Sequence, residues 1–474
     1  QIPPELLKAG GRKLASDIHA LLCTCWEESH IPQDLKDAKI ITLYKNKGDR
    51  ADYNNYRGIS LLSVVGKVLA RVMLKRLQVL AESVYPEIQC GFRAGRSTTD
   101  MSFTLCLLQE KSCEQQAPLH VAFVDLQKAF DMVSRNGIYK ILSKIGCPQK
   151  VLSLFKEFHE GMKAIIQYED ETSSEFSIDT GMKQGCVLVP TSFGIFFSIL
   201  LKYTFGNDQS GILIEDLLFA DDTAFVFNSP DELQNMMNKF SDACTKFSMV
   251  ISIKKTVVTS QGTNISPKIY VNNEALDNVD HFCYLGSTLT SSLSLDRELD
   301  VRIGKASVTF GRLTSCVWNN KLLTLNTKVS IYQACVLSTL LYGCESWVTY
   351  SKQERRLNSF YLRCLRKILG VTWDQRITNN EVLERTGLQS MQTTLDIRRL
   401  CWLGHVEHMP QDRLLKAVLY GQLKNRPRRR GRPKLRYSDK KFSIPTDSWE
   451  NPAHNHSVWR SRVKAGAVTA ESHQ

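Results

Sequence analysis

The sequence predicts an α+β fold made of several packed units. Residues 36–44 alternate in polarity and are rich in strand formers, whereas residues 61–83 have the spacing of a long helix that ends near Pro86. Residues 214–228 form two apolar runs hinged on an acidic pair, as in a β-hairpin. With 474 residues, the chain is long enough for two to four such units.

The remaining elements are predicted from the same two periodicities, 3.6 for helices and 2 for strands. In chain order they are an amphipathic helix in 1–35 broken at Pro32, a buried strand in 117–126, strands joined by a turn in 155–181, a helix in 231–248, a strand in 249–261, a mostly helical stretch in 291–367 and a short helix around Ser457.

The charge balance favours a polyanionic partner. Lys and Arg number 61 against 48 Asp and Glu, which gives a net charge of +13. Nucleic acid is the first expectation and a membrane surface the second, while a basic protein without such a partner stays open. Residues 424–436 are rich in Lys and Arg and contain no acid, so they predict an arm that binds phosphate backbones, or a nuclear-localisation patch.

The cysteines and the apolar runs predict an intracellular protein. None of the 14 cysteines forms a C-x-x-C pair, so reduced thiols are expected, in the nucleus and the cytoplasm. The most apolar run, 186–201, is interrupted by Pro190 and is expected to be too short for a bilayer, so no membrane is expected. The chain opens on Gln1 without a signal peptide, which is compatible with a fragment of a polyprotein.

Two acidic segments predict a metal site. Asp125 ends an apolar strand, and Asp221 and Asp222 are adjacent between two apolar runs. An acidic pair alone usually marks a solvated turn, but carboxylates in apolar surroundings repel each other unless a cation neutralises them. Three carboxylates on neighbouring strands can hold two Mg²⁺ ions, which prefer carboxylate and phosphate oxygens.

Ordered motifs around these acids carry a family resemblance. They read DAKIITLYKNKGDRADYNNYRGISLLSVVGKVLARVMLKRL, YPEIQCGFRAGRSTTDM, FVDLQKAFDMV, GMKQGCVLVPTSFGIFF, LLFADD, ISIKKTVV and YLGSTL. The series resembles the polymerase blocks of reverse transcriptases from non-LTR (LINE-type) retrotransposons. The later segments YQACVLSTLLYGCESW and RRLCWLGHVEHM resemble the thumb and C-terminal region of the same family.

The resemblance implies a right-hand polymerase with an antiparallel palm sheet and a mostly helical thumb and C-terminal region. It implies an RNA-directed DNA polymerase that adds dNTPs to a primer DNA on template RNA, with two Mg²⁺ ions or alternatively Mn²⁺. The implied segments are an N-terminal extension and fingers in 1–120, the palm in 121–275, the primer grip and helical thumb in 276–375, and a basic C-terminal region in 376–474.

The resemblance also assigns catalytic roles. Asp125, Asp221 and Asp222 would bind the metal ions. Lys255 would act as a general acid toward the leaving pyrophosphate, although strand alternation allows only one of Lys254 and Lys255 to point inward. The alternative for either lysine is an ordinary surface charge.

Nucleotide and template contacts are implied in the same way. Phe130 would exclude a 2′-hydroxyl, and Lys45 and Arg57 would pair with triphosphate oxygens, with Lys47 as an equal competitor of Lys45. The alternatives are a core aromatic ring and solvated loop charges. The other implied contacts are Gln184 and Gly185 at the nascent base pair, Gly91, Arg93 and Arg96 at the template, and Tyr284, Leu285 and Gly286 at the primer grip.

Three other interpretations remain open. A catalytically inactive relic would still bind nucleic acid, and it is motivated by Val189 and Ser248, which stand where family members often carry small residues or glycine. An RNA-dependent RNA polymerase is disfavoured by the bulk of Phe130. A basic scaffold protein with fortuitous motifs is the third. No segment resembles the endonuclease that such elements carry, so target cleavage is not expected of this chain.

Overall fold

The computed structural model describes residues 4–46, 48–206, 216–263, 266–421, 437 and 456–472. It contains strands and helices mixed along the chain, which confirms the α+β prediction. The predicted arm at 424–436 and Lys47 lie outside the described residues.

The α-helices are α1 (Pro4–Ala9), α2 (Gly11–Glu28), α3 (Gln33–Lys36), α4 (Val64–Val84), α5 (Thr98–Gln115), α6 (Ala129–Met132), α7 (Arg135–Lys144), α8 (Gln149–His159), α9 (Leu188–Phe205), α10 (Pro230–Lys246), α11 (Asp296–Arg312), α12 (Leu325–Ile331), α13 (Ser338–Leu340), α14 (Ser351–Leu369), α15 (Asn379–Thr386), α16 (Met391–Glu407), α17 (Leu414–Tyr420) and α18 (His456–Ser472). Two π-helical turns, Thr314–Trp318 and Tyr332–Leu337, interrupt the region between α11 and α13.

The strands are β1 (Ala38–Tyr44), β2 (Tyr56–Leu61), β3 (Leu119–Val124), β4 (Lys163–Tyr168), β5 (Glu171–Thr172), β6 (Phe176–Ser177), β7 (Asp216–Phe219), β8 (Asp222–Phe227), β9 (Val257–Gln261), β10 (Tyr270–Val271), β11 (Glu274–Ala275), β12 (Asp277–Asn278), β13 (His281–Tyr284) and β14 (Ser287–Thr290).

A five-stranded sheet in the order β12-β9-β3-β8-β7 forms the centre of the chain. Its middle strand, β3, is buried at every residue because its alternate side chains enter two different hydrophobic cores. Ala122 and Val124 join the core that contains α4, α8, α9 and α10, whereas Val121 and Phe123 join the core against α5, β13, β14 and the C-terminal helices. A strand covered on both faces reads as a continuous apolar run, which is how this one was predicted.

A second sheet has the order β2-β1-β4-β5, with β6 also paired to β4. Its strands β1 and β2 are antiparallel, and Tyr44 lies opposite Tyr56. Strand β4 runs parallel to β1, so residues far apart in sequence are joined in one sheet. A third hydrophobic core lies among α11, α12, α14 and α15, which agrees with the predicted helical stretch in 291–367.

Two predictions of secondary structure are wrong in part. Residues 155–159 belong to helix α8 rather than to a strand, because Leu152, Phe155 and Phe158 have helical spacing and are buried on one face. In the predicted strand 249–261 only β9 is regular. Ile251 forms an isolated bridge with Leu126, and the chain then turns before β9 begins.

Helix α9 is long and apolar enough to cross a membrane, judged by length and composition alone. The expectation that this run is too short was therefore wrong. Its 18-residue window has a mean hydropathy of 1.4, and 72% of that window is buried inside the protein. It packs against α4 and α10 in the first hydrophobic core. That burial is typical of the central helix of a large core.

Candidate active site

The acidic pair sits on the tight turn of the β7–β8 hairpin. Phe219 pairs with Asp222, so Ala220 and Asp221 form a two-residue connection. Strand β3 pairs with β8 in a register that joins Val124 to Thr223. One step further along this register brings Asp125 beside Asp222, so the three predicted carboxylates meet at one edge of the sheet.

Burial, together with repulsion from neighbouring carboxylates, raises the pKa values of Asp221 and Asp222. Burial is the largest cause for Asp222, followed by repulsion from Asp221 and Asp125, and together they raise its pKa to about 6. Burial and the charge of Asp125 also raise the pKa of Asp221, against the opposing effects of Arg57 and Lys255. Accumulated negative charge of this kind is what a bound cation relieves.

Lys255 reaches this edge from the turn before β9. Its Nζ lies 2.7 Å from Oδ2 of Asp125. The turn is fixed by backbone hydrogen bonds, because Ser252 donates to the carbonyl of Asp125 at 2.8 Å and Lys255 donates to the carbonyl of Ser252 at 3.1 Å. Both Lys254 and Lys255 are exposed, and it is Lys255 that the structure pairs with Asp125.

The donor set suits a hard divalent cation that also binds substrate. Within the described ranges, no three His, Cys, Asp or Glu side chains are already grouped as a metal site. Mg²⁺ commonly takes one or two carboxylates and completes its shell with waters and phosphate oxygens. Carboxylates on adjoining strands with raised pKa values fit that incomplete kind of site.

The predicted nucleotide-binding turn lies against the second sheet. Gly185 has a φ of +111°, and a Cβ there would lie 2.8 Å from the carbonyl oxygen of Ser60. The backbone of Ser60 donates to the carbonyl of Gln184 at 2.7 Å. Glycine is therefore required at 185 both by the backbone conformation and by the close approach of β2.

A backbone hydrogen bond links Phe130 to the segment that leads into the turn of Gln184 and Gly185. Met182 donates to the carbonyl of Phe130 at 3.0 Å, which ties the segment of Phe130 to the turn that carries Gln184. The ring is half-buried and packs on Phe193, with 4.6 Å between the ring centroids. It is thus both a packing residue and a surface that a ligand could meet.

The two predicted phosphate-binding residues differ in position. Arg57 is exposed on β2 and close enough to Asp221 to lower that group's pKa. Lys45 donates to the carbonyl of Asn54 at 2.8 Å, within the β1–β2 connection. The structure thus places Arg57 by the acids and gives Lys45 a local backbone partner.

The predicted template residues are held in the structure by other partners. Arg93 lies 2.9 Å from Glu82 and faces the ring of Tyr85, and Arg96 forms an ion pair with Glu87. A template contact would require these ion pairs to rearrange, so their role at the template stays a prediction. Gly91 instead packs on the β7–β8 hairpin, since a Cβ there would lie 2.1 Å from the nitrogen of Ala220.

The predicted primer-grip residues form the turn of the β13–β14 hairpin. Leu285 and Gly286 both have positive φ, +48° and +85°, as a type I′ turn requires. Tyr284 is buried and its hydroxyl donates to the carbonyl of Leu217 at 3.0 Å, so the hairpin is fastened to β7. Tyr342 donates to the carbonyl of Leu285 at 3.0 Å.

Three residues that sequence reasoning missed support this site. Buried Lys183 donates to the carbonyls of Lys36 and Phe158, each at 2.7 Å, and so anchors the turn next to Gln184. Burial lowers the pKa of Lys183 to about 7. Arg413 bridges the acids Glu87 and Asp100, each at 3.1 Å, from the C-terminal region.

The third missed residue is Gln89, a fully buried amide beside the hairpin. Its Oε1 accepts hydrogen bonds from the backbone nitrogens of Ala220 and Gly91 at 3.0 and 2.9 Å. The hydrophobic periodicity of the sequence does not identify Gln89, Lys183 or Arg413, because each of them binds a partner that lies far away in the sequence. The only available signal was a polar residue inside a recognised motif, which Gln89 and Lys183 share.

Comparison with known proteins gives concordant results. Residues 44–289 match the family model described as reverse transcriptase (RNA-dependent DNA polymerase). The chain is 27% identical over 366 residues to the RNA-directed DNA polymerase from mobile element jockey of Drosophila melanogaster, covering 74% of this chain and 40% of that protein. It is 24% identical over 366 residues to a probable RNA-directed DNA polymerase from transposon X-element of the same organism, covering 74% and 39%.

The chain thus spans about two fifths of the length of the curated relatives it matches. Among solved structures, apo telomerase from Candida tropicalis aligns with a TM-score of 0.39 and 13% identity, covering 86% of this chain and 74% of that one.

Proposed function

Because the chain belongs to the reverse transcriptase (RNA-dependent DNA polymerase) family, we propose that it is the polymerase part of a non-LTR retrotransposon protein. It adds dNTPs to the 3′-hydroxyl of a primer DNA on an RNA template. The observation that carries this proposal is the meeting of Asp125, Asp221 and Asp222 at one sheet edge, with Lys255 on Asp125.

Asp125, Asp221 and Asp222 would hold the divalent cations, which we propose to be two Mg²⁺ ions, with Mn²⁺ as an alternative. When bound, such ions activate the primer hydroxyl and stabilise the leaving pyrophosphate. The chain's own contribution is to fix the carboxylates on two paired strands, so little reorganisation is needed during the reaction.

We assign nucleotide selection to Phe130, Arg57, Lys45 and Lys255. The ring of Phe130 would occupy the space of a ribose 2′-hydroxyl, and its packing on Phe193 limits how far it can move away. Arg57, exposed beside Asp221, and Lys45 would meet the triphosphate. Lys255 holds a proton next to Asp125, where it can serve the leaving pyrophosphate.

The architecture supports a division into fingers, palm and thumb. We assign the sheet β12-β9-β3-β8-β7 to the palm and the sheet β2-β1-β4-β5 to the fingers, so 163–177 joins the fingers although it lies within 121–275. We assign the helical core from α11 to α14 to the thumb, and the region from 376 onward begins with α15, which packs on that core. Template RNA and primer would lie between these parts.

Primer extension tests the proposal directly. The measured reaction is incorporation of dTTP on poly(rA)/oligo(dT) with Mg²⁺, comparing wild type with Asp221→Ala/Asp222→Ala. A matched control is Asp231→Ala/Glu232→Ala, an exposed acidic pair at the start of α10. Extension by wild type and control alone supports the proposal. Failure of all three proteins to extend, with template RNA still bound, would leave the inactive relic as the correct interpretation.

A further inference from the structure

Gln89 makes a two-sided contact with the backbone of the catalytic hairpin. Its Oε1 accepts from the nitrogen of Ala220 at 3.0 Å, and its Nε2 donates to the carbonyl of the same residue at 3.4 Å. The adjoining backbone follows the hairpin too, since Cys90 donates to the carbonyl of Leu218 at 2.9 Å. Gln89 is 0% exposed, so water does not compete for these groups.

The residue that Gln89 holds has an unfavourable conformation. Ala220 has a φ of +59°, and Asp221 is not among the residues with positive φ. A two-residue hairpin turn with positive φ only at its first central position is of type II′, where glycine is preferred. An alanine stays in this conformation only if its surroundings hold it there.

The neighbouring Gly91 allows the contact to close. A Cβ at Gly91 would lie 2.1 Å from the nitrogen and 2.8 Å from the Cα of Ala220. The nitrogen of Gly91 also donates to Oε1 of Gln89 at 2.9 Å, which orients the amide. The segment 89–91 therefore packs directly on the turn and constrains its shape.

We propose that Gln89 is a positioning residue for the acidic pair: it holds Ala220 in its left-handed conformation and so fixes the directions of Asp221 and Asp222. The inference rests on the proposed polymerase function. Gln89 touches no substrate in this role; it acts through the backbone of the turn. A small displacement of either carboxylate would slow the chemical step without weakening the binding of nucleotide.

The first test separates turnover from binding. Gln89→Met keeps the volume of the side chain and removes its hydrogen bonds. Gln261→Met is the matched control, because Gln261 is a buried amide of the same sheet that donates to the carbonyl of Gln109 at 2.8 Å. We expect kcat for dTTP to fall about 30-fold in Gln89→Met with KM changed less than about twofold. Equal kcat values in the two variants would overturn the inference.

The second test asks for rescue by glycine. Glycine adopts positive φ without strain, so Ala220→Gly should keep the turn in shape without help from Gln89. The double variant Gln89→Met/Ala220→Gly should recover kcat at least about fivefold over Gln89→Met. No recovery would show that the loss came from general disturbance of the core, and the positioning role would be wrong.

A third measurement does not depend on activity. Hydrogen exchange of the peptide covering 217–222 should be at least about tenfold faster in Gln89→Met than in wild type, and unchanged in Gln261→Met. Unchanged exchange in Gln89→Met would overturn the inference. If wild type incorporates no nucleotide, the proposed function fails, whereas the exchange result still decides whether Gln89 holds the turn.

Discussion

Nζ of Lys255 lies 2.7 Å from Oδ2 of Asp125, although 130 positions separate the two residues in the chain. The ammonium group of Lys255 therefore binds a carboxylate oxygen that would also coordinate a metal ion. We expect this ion pair to open when the cation and nucleotide bind, which frees the ammonium group for the leaving pyrophosphate.

Replacing Lys255 should therefore lower the rate of nucleotide incorporation more than it weakens the binding of the nucleotide. We expect Lys255→Ala to lower kcat for dTTP about 10- to 100-fold, as for the loss of a general acid. Lys254→Ala is the matched control, because Lys254 is the adjacent lysine and is exposed as Lys255 is. Single-turnover incorporation measures both variants. Equal losses in the two would refute the assignment of Lys255.

Replacing Asp222 should abolish incorporation yet stabilise the metal-free protein. The pKa of Asp222 is raised to about 6, so the folded state prefers the protonated carboxyl and loses stability as pH rises from about 4 to 6. Asp222→Asn mimics the protonated form. Although neighbouring groups partly desolvate the carboxyl of Asp222, the residue keeps contact with solvent, which screens the charge, so the gain in unfolding free energy above pH 6 should be only about 1 kcal/mol.

Thermal unfolding without divalent cations at pH 4 and pH 8 checks this. The variant should exceed wild type only at pH 8, and added Mg²⁺ should stabilise wild type more than the variant. A variant that is less stable than wild type at pH 8 would contradict the repulsion among the carboxylates.

Shortening Phe130 should relax sugar selection. Phe130→Val opens space beside the incoming sugar, so the ratio of kcat/KM for dTTP over UTP should fall at least about tenfold. Phe130→Tyr keeps the bulk of the ring and should keep the ratio. Steady-state incorporation of both nucleotides gives the values. Wild-type protein that uses UTP as well as dTTP would favour an RNA polymerase instead.

Lys183 should make the free energy of unfolding depend on pH between about 7 and 10.5. Burial lowers its pKa to about 7 from an ordinary value of 10.5, so the unfolded chain binds the proton more tightly. Protonation of this amine therefore destabilises the folded state: the effect is absent above pH 10.5 and grows as pH falls toward 7. Urea unfolding of wild type should gain about 1.4 kcal/mol per pH unit in this window relative to Lys183→Met.

The matched control is Lys254→Met, which replaces an exposed lysine. It should follow the pH profile of wild type. A Lys183→Met profile parallel to that of wild type between pH 7 and 9 would show that the buried amine does not titrate there.

Ser248 should be a position where glycine stabilises the fold. Ser248 follows the end of α10 with a φ of +60°, and Met249 donates to the carbonyl of Cys244 at 2.8 Å, the pattern of a Schellman motif. Ser248→Gly should raise the unfolding free energy by about 1 kcal/mol, measured by urea denaturation. A decrease would mean that the left-handed conformation carries no strain.

The departure at Ser248 thus has a structural explanation that does not concern catalysis. Glycine adopts this left-handed conformation at the end of α10 without strain, and serine adopts it at some cost. The residue is exposed and bears no contact with the acids in the structure. This departure gives little support to the inactive relic.

The sequence predicted the strands of the central sheet because their burial is visible locally. Residues 119–124 are apolar except for His120, and the acids follow apolar runs directly. The prediction failed where tertiary contacts override a local pattern. Residues 249–256 alternate like a strand, yet Met249 caps α10 and Ser252 bonds to the carbonyl of Asp125.

The positions of the acids could be predicted, whereas the residues that support them could not. Gln89, Lys183 and Arg413 act on backbone carbonyls, backbone nitrogens or distant acids, and a single sequence contains no record of such partners. The side chains of Arg93 and Arg96 illustrate the converse. The family resemblance implied template contacts for them, and the structure shows ion pairs with nearby glutamates.

The central position of β3 has a consequence for how the protein is made. Both of its pairing partners, β8 and β9, come about 100 or more residues later in the chain. During synthesis β3 therefore leaves the ribosome with two apolar faces and two edges of unpaired backbone N–H and C=O groups, and its pairing is not complete until residue 261 has been translated. The nascent chain should depend on chaperones during this interval, and truncation before β9 should yield aggregates rather than a smaller folded enzyme.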